Sequence, residues 1–123
     1  MITKETNLPG VLIIEPRVFG DERGYFLESY HAERYAKEVG VNETFVQDNY
    51  SRSAQGVLRG LHFQVKKPQG KLVNVTAGEV FDVAVDIDPK SATFKQWFGV
   101  ILTGDNHLQL YIPPGYAHGF AVL

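Results

Sequence analysis

Along the chain, short runs of β-branched and aromatic residues are broken by Gly, Pro, Asp and Asn, a punctuation that predicts strands and turns rather than long helices. The runs lie at 11–15, 25–29, 45–51, 57–63, 71–77, 79–87, 93–102 and 108–112, with a last one starting near Ala117. A recurrence of roughly 8 to 12 residues is the pattern of an antiparallel sandwich or barrel. The clearest alternation sets Phe81, Val83, Val85 and Ile87 against Asp82, Ala84 and Asp86. It predicts a strand that buries its apolar face and turns its carboxylates outward. One segment departs from the pattern: Ala32, Tyr35, Ala36 and Val39 recur at helical spacing, Glu33 lies four residues before Lys37, and Gly40 closes the run. The expectation is therefore an all-β, antiparallel jelly roll with one short helix at about 31–39, whose mouth is a natural place for a ligand.

With 123 residues, 44% hydrophobic and 21% charged, the chain has room for a single domain over 1–123 of ordinary globular composition. Its net charge of −2 builds no basic field, which argues against nucleic-acid and anionic-membrane binding. Any anion must then be met by individual arginines or lysines. No apolar run approaches the roughly 20 residues of a membrane span, and the opening Met1 to Asn7 has no signal-peptide core. The absence of Cys excludes disulfides, thiolate metal sites and a cysteine nucleophile, and fits a cytoplasmic protein. The closing run Gly119-Phe120-Ala121-Val122-Leu123 has no polar tail. Read as an uncovered edge, it predicts dimerisation or aggregation.

Candidate chemistry concentrates between 45 and 71. Gln47 and Asn49 share a strand face with Phe45 and Ser51, so they either bind something polar or look into solvent. Strict alternation puts Arg59 and His62 on opposite faces, whereas a bulge at Gly60 would turn both inward. His62 is either a packed or surface residue or a general base working near neutrality. Lys71 shares parity with Val73 and Val75. Its ammonium therefore enters the barrel, where burial disfavours charge unless an anion compensates, or its stem snorkels to the rim. Arg23, after Asp21-Glu22, is a surface charge partner or a clamp; Phe26, Glu28 and Tyr30 share one face that is either core or pocket wall. His62 has no neighbouring second ligand and residues 113–120 add only His118, so no metal site is expected.

Six blocks together carry a resemblance. They are Gly20-Asp21-Glu22-Arg23-Gly24-Tyr25-Phe26, Phe45-Val46-Gln47-Asp48-Asn49, residues 56–64, Gln69-Gly70-Lys71-Leu72-Val73, residues 78–86, and Ile112-Pro113-Pro114-Gly115-Tyr116-Ala117-His118-Gly119-Phe120. In this order the sequence resembles the dTDP-4-dehydrorhamnose 3,5-epimerase family over essentially the whole chain. The resemblance implies a cupin-type jelly roll, a homodimer, and no metal or organic cofactor. It implies action on dTDP-4-dehydro-6-deoxy-D-glucose, inverted at C3 and C5 by enolisation beside the C4 ketone on the way to dTDP-L-rhamnose.

By the same resemblance His62 is the base and Lys71 steadies the enolate oxygen. Arg23 and Arg59 clamp the nucleotide and its phosphates. Glu28, Gln47, Asp48 and Asn49 contact substrate, His118 forms the opposite wall of the sugar pocket, and Phe19 and Phe26 line the nucleotide side. Family members continue past the Ala-His-Gly-Phe block, and the resemblance implies that a tyrosine acid and an aspartate orienting the base lie there. The expectation is thus a domain apparently truncated and incomplete at its C-terminal edge. The alternatives are a catalytically impaired nucleotide-sugar-binding module and a single-carbon epimerase of the same family.

Overall fold

The computed structural model describes residues 1–123. Ten strands run β1 (Ile2–Glu5), β2 (Leu12–Glu15), β3 (Val18–Asp21), β4 (Gly24–Leu27), β5 (Leu58–His62), β6 (Lys71–Asn74), β7 (Glu79–Asp86), β8 (Trp97–Thr103), β9 (Gln109–Ile112) and β10 (Tyr116–Val122). They form two four-stranded antiparallel sheets, ordered β1-β2-β9-β6 and β5-β10-β7-β8, with β3-β4 as a separate hairpin. Leu8, Val11, Leu110 and Ile112 on the first sheet's side meet Ala84 and Leu102 of the second, and this cluster is the core of the sandwich. The all-β jelly-roll expectation stands.

The first sheet is covered on its other face as well. A turn of α-helix, α1 (Ala32–Arg34), runs into a π-helical turn, Tyr35–Val39. The His31 side chain accepts from Arg34 N–H at one end, and Gly40 adopts a φ of 83° at the other. Tyr35, Val39 and Val41 pack on Ile14 and Tyr111, as the amphipathic spacing requires. The Tyr35 hydroxyl donates to Gln109 Oε1 at 2.7 Å, so this polar group is satisfied inside the layer.

The second sheet is different, and it corrects two expectations. Across β10 and β7, His118 pairs with Ala84 and Phe120 with Asp82, while Gly119 pairs with Val83 and Ala121 with Phe81. The first set faces the core. Asp82, Ala84 and Asp86 are therefore buried, and Phe81, Val83 and Val85 lie on the outer face, the reverse of the orientation that the alternation predicts. The physical reason is twofold: the carboxylates find partners inside, and the outer face is itself apolar. Leu58, Leu61, Trp97 and Ile101 stand exposed on that face. The second correction concerns the C-terminal run. β10 lies between β5 and β7, paired along both edges, so Gly119 to Val122 is an interior strand rather than an open edge.

Three boundary differences follow from partners that local sequence cannot show. Residues 45–51 form no strand, because no ladder partner lies beside them; Val46 and Tyr50 point into solvent. β8 begins at Trp97 rather than at Thr93, whose hydroxyl is occupied with Asp86. β1 and β3 are additional strands, and β3 turns into β4 at Glu22-Arg23, where Asp21 Oδ1 accepts from Arg23 N–H at 2.8 Å.

Candidate active site

The site is built on an irregularity in β5. His118 of β10 stands opposite His62, and Phe120, two residues on, stands opposite Arg59, three residues back; one extra residue on β5 makes a bulge. Both Arg59 and His62 therefore sit on the face of the core-facing residues His118 and Phe120. Glycine is required on each side of this crossing. Gly60 has a φ of 114°, and a Cβ there would lie 2.6 Å from Gly119 Cα; a Cβ on Gly119 would lie 2.7 Å from the Arg59 carbonyl oxygen. The bulge that sequence could pose only as an alternative is what aims the imidazole.

A cleft of about 350 Å³ opens beside it, lined by His62, Phe63, Gln64, Gln69, Lys71 and Tyr116 among others. Lys71 reaches it from the first sheet. Its backbone pairs with Ile112 and that of Val73 with Leu110, so the lysine shares the inward face of its strand. Burial pulls the Lys71 ammonium below the usual lysine range, and the charge of Asp82 opposes that pull. Tyr116 donates to the Pro9 carbonyl at 2.6 Å, and burial, with Asp86 nearby, raises its hydroxyl above the ordinary tyrosine value. Behind the cleft His118 is almost enclosed, its Nε2 2.8 Å from Asp82 Oδ1. An exposed imidazole, a partly desolvated ammonium and a buried histidine–aspartate pair thus share one end of the sandwich. The arrangement can take a proton from carbon and hold the oxyanion that forms.

Other sequence-predicted positions lie apart from this cleft, whose lining contains none of Phe19, Arg23, Phe26, Glu28, Gln47, Asp48 or Asn49. Phe19 and Phe26 face each other across the β3-β4 hairpin, both exposed. Arg23 pairs with Asp21 at 2.7 Å, on the surface. Glu28 binds Arg34 through two hydrogen bonds, which hold its carboxyl below the usual range. Gln47 donates to Asn49 Oδ1 at 3.1 Å, and both amides, with Asp48, are solvent-exposed. Arg59 is anchored by Ser53 Oγ at 2.9 Å. No three His, Cys, Asp or Glu side chains converge as metal ligands do.

The model of one protein family, described as dTDP-4-dehydrorhamnose 3,5-epimerase, matches residues 5–123. The chain belongs to this family. The dTDP-4-dehydrorhamnose 3,5-epimerase of Salmonella typhimurium is 57% identical over 124 residues, covering 100% of this chain and 68% of the relative. That of Pseudomonas aeruginosa is 57% identical over 116 residues, covering 94% and 64%. A solved dTDP-6-deoxy-D-glucose-3,5-epimerase of Legionella pneumophila Philadelphia 1, in complex with dTDP-4-keto-L-rhamnose, matches with a TM-score of 0.96 at 58% identity, covering 99% of this chain and 65% of that one. The chain spans about two thirds of the length of these dTDP-4-dehydrorhamnose 3,5-epimerase relatives.

Within this epimerase fold, two positions of the site escape sequence reasoning. Tyr116 lies inside the Pro-Pro-Gly-Tyr-Ala-His-Gly-Phe block, and its parity with His118 could have placed it. Asp82 had no such signal, because an Asp alternating with Val reads as the wet side of a strand.

Proposed function

We propose that the protein catalyses epimerisation of dTDP-4-dehydro-6-deoxy-D-glucose at C3 and C5, giving dTDP-4-dehydro-L-rhamnose. The C4 ketone acidifies both neighbouring C–H bonds. His62 takes the proton, the electron pair moves into an enolate, and the Lys71 ammonium stabilises the oxygen that becomes negative. Reprotonation from the opposite face inverts the carbon. The observation that carries this reading is the Gly60 bulge, which aims His62 into the cleft that Lys71 also lines.

In this reading Arg59, inward beside His62, clamps a phosphate. His118 walls the sugar, and Glu28, Gln47, Asp48, Asn49 and the hairpin residues Phe19, Arg23 and Phe26 serve the nucleotide end. A diphosphate-linked nucleoside is long enough to engage both regions. The protein works in the cytoplasm as a homodimer. The exposed Leu58, Leu61, Trp97 and Ile101 support the second copy, since a contiguous apolar face of this kind favours association. Sedimentation is expected to give a dimer, and a clean monomer counts against it.

The test of the reaction is incubation of the purified chain with the 4-keto sugar nucleotide in deuterated water, followed by NMR. Label at both C3 and C5 is the expected result. Label at one carbon only assigns a single-carbon epimerase, and tight binding without label assigns a nucleotide-sugar-binding module.

A further inference from the structure

Asp82 is fully buried at the middle of β7, a place where an ionised carboxylate is costly unless its oxygens are used. Only one of them is. Oδ1 binds His118 Nε2 at 2.8 Å, whereas Oδ2 is enclosed without any hydrogen-bond partner. Simple packing does not account for this, because an apolar residue of similar volume would fill the space with no unsatisfied oxygen. Asp82 stands opposite Phe120 on the core-facing side of the second sheet, Lys71 stands opposite the core residue Ile112 on the first, and the Asp82 charge acts on the ammonium between the two sheets. His62 on β5 and Tyr116 on β10 line the cleft with Lys71, and Asp82 on β7, which holds His118 of β10, acts on the ammonium by its charge. Asp82 is the one carboxylate among them, and unlike Asp86 farther along the strand, which is engaged by Ser91 and Thr93, it has an oxygen without a partner.

We propose that Asp82 is a positioning residue that acts on two groups at once, one behind the cleft and one in it: Oδ1 fixes the tautomer of His118, and Oδ2 is the anionic counterpart that keeps Lys71 charged and drawn to the base of the cleft. The first half follows from donor inventory. A carboxylate only accepts, so His118 carries its proton on Nε2, and Nδ1 is left as an acceptor for a substrate hydroxyl. The second half follows from charge. Burial strips water from Lys71, and a lysine that must meet an enolate oxygen as an ammonium needs a fixed negative charge behind it. Asp82 supplies this without competing for the front of the cleft, since the two form no direct ion pair. Asp82 does not touch substrate in this account. It acts through its neighbours.

The kinetic half of the test rests on the proposed enolisation; the spectroscopic half does not. Nitrogen-15 NMR of the unmodified chain is expected to show His118 protonated at Nε2, and a ring protonated at Nδ1 alone overturns the first half. In Asp82→Asn, which keeps the shape and removes the charge, the Lys71 titration midpoint is expected to move to lower pH. A midpoint that stays in place overturns the second half. Exchange kcat in that variant is expected to fall roughly 10- to 100-fold, the size of losing a hydrogen bond or contact to a charged group. KM should stay within about twofold, because the amide oxygen introduced by Asp82→Asn still accepts from His118 Nε2 and leaves Nδ1 free for the substrate. An unchanged kcat overturns the proposal. If the unmodified chain exchanges no label at all, the enolisation reading has failed, and the two NMR results alone decide the role of Asp82. Should Asp82→Asn not fold, the His118 tautomer of the unmodified chain and the Asp82→Glu variant, expected to restore the Lys71 midpoint, stand in its place.

Discussion

Asp82 and Asp86 lie on the same strand, on the same face, one helical-turn's worth of residues apart, and both are buried, yet their surroundings could hardly differ more. Asp86 receives hydroxyls from Ser91 and Thr93 at 2.5 Å each and the Asp88 N–H at 3.0 Å. Burial pushes its carboxyl up, and these donors together outweigh burial and hold it below the usual aspartate range. Asp82 has one donor and an idle oxygen. A saturated carboxylate closes a turn and belongs to the fold. A half-saturated one keeps capacity for something else, and it is the one beside the cleft. Burial alone therefore does not mark a functional acid here; the unsatisfied lone pairs of Asp82 set it apart from Asp86.

Breaking the structural half of this comparison has the largest expected effect on stability. Asp86→Ala leaves two hydroxyls and a backbone N–H without their charged acceptor and is expected to cost about 3 kcal/mol in urea unfolding. The pH dependence has a definite sign. A carboxyl depressed in the folded state adds stability above its unfolded pKa of about 3.9 and loses it as pH falls through the folded value. The gap between Asp86→Asn and the unmodified protein should therefore be full at pH 7 and narrow in acid below about pH 4. A gap that is constant from pH 7 to pH 3 removes the charge argument.

Gly119→Val comes next. A side chain there meets the Arg59 carbonyl across the bulge, so a loss of about 2 kcal/mol is expected, with displacement of His62 and a fall in activity beyond what stability explains. Normal activity in a folded Gly119→Val protein would detach the bulge from the site.

Lys71→Met sharpens the functional half. The partly buried ammonium costs the fold stability at neutral pH, because its folded pKa lies below the unfolded one. Stability therefore rises as pH climbs from the folded toward the unfolded lysine value. Lys71→Met is expected to be slightly more stable at pH 7, with the advantage shrinking toward pH 10.5, while exchange activity is lost. A destabilised Lys71→Met would mean that the attraction of Asp82 for the ammonium outweighs the cost of burying it. The smallest effect is expected for Arg23→Ala, whose partner Asp21 is a surface carboxylate: thermal melts should give an unchanged midpoint.

Sequence made much of this visible, for reasons that are physical. Gly60 in the middle of a strand signals a bulge, and Lys71 sharing parity with Val73 and Val75 signals an inward ammonium; both rest on the period-two geometry of a strand, which is local. The helix is legible from Tyr35 and Val39 in the same way. The orientation of β7 is not. Its alternation is genuine, but placing Val inside and Asp outside assumes that only one face is apolar, and Phe81, Val83 and Val85 look onto an outer face shared with Trp97 and Ile101. Residues 45–51 have strand propensity without a ladder partner, and propensity is context. β10 inserts between strands far from it in sequence, so its apolar run reads as an end when it is a centre.

The central claim is that the bulge makes His62 the base. Proton exchange at C3 and C5 of the 4-keto sugar nucleotide, followed in deuterated water with His62→Asn beside the unmodified chain, tests it most directly. Binding of the sugar nucleotide is expected to persist while exchange falls by about three orders of magnitude or more, as the loss of a general base and its positioning requires. Exchange at an undiminished rate in a folded His62→Asn protein would contradict it.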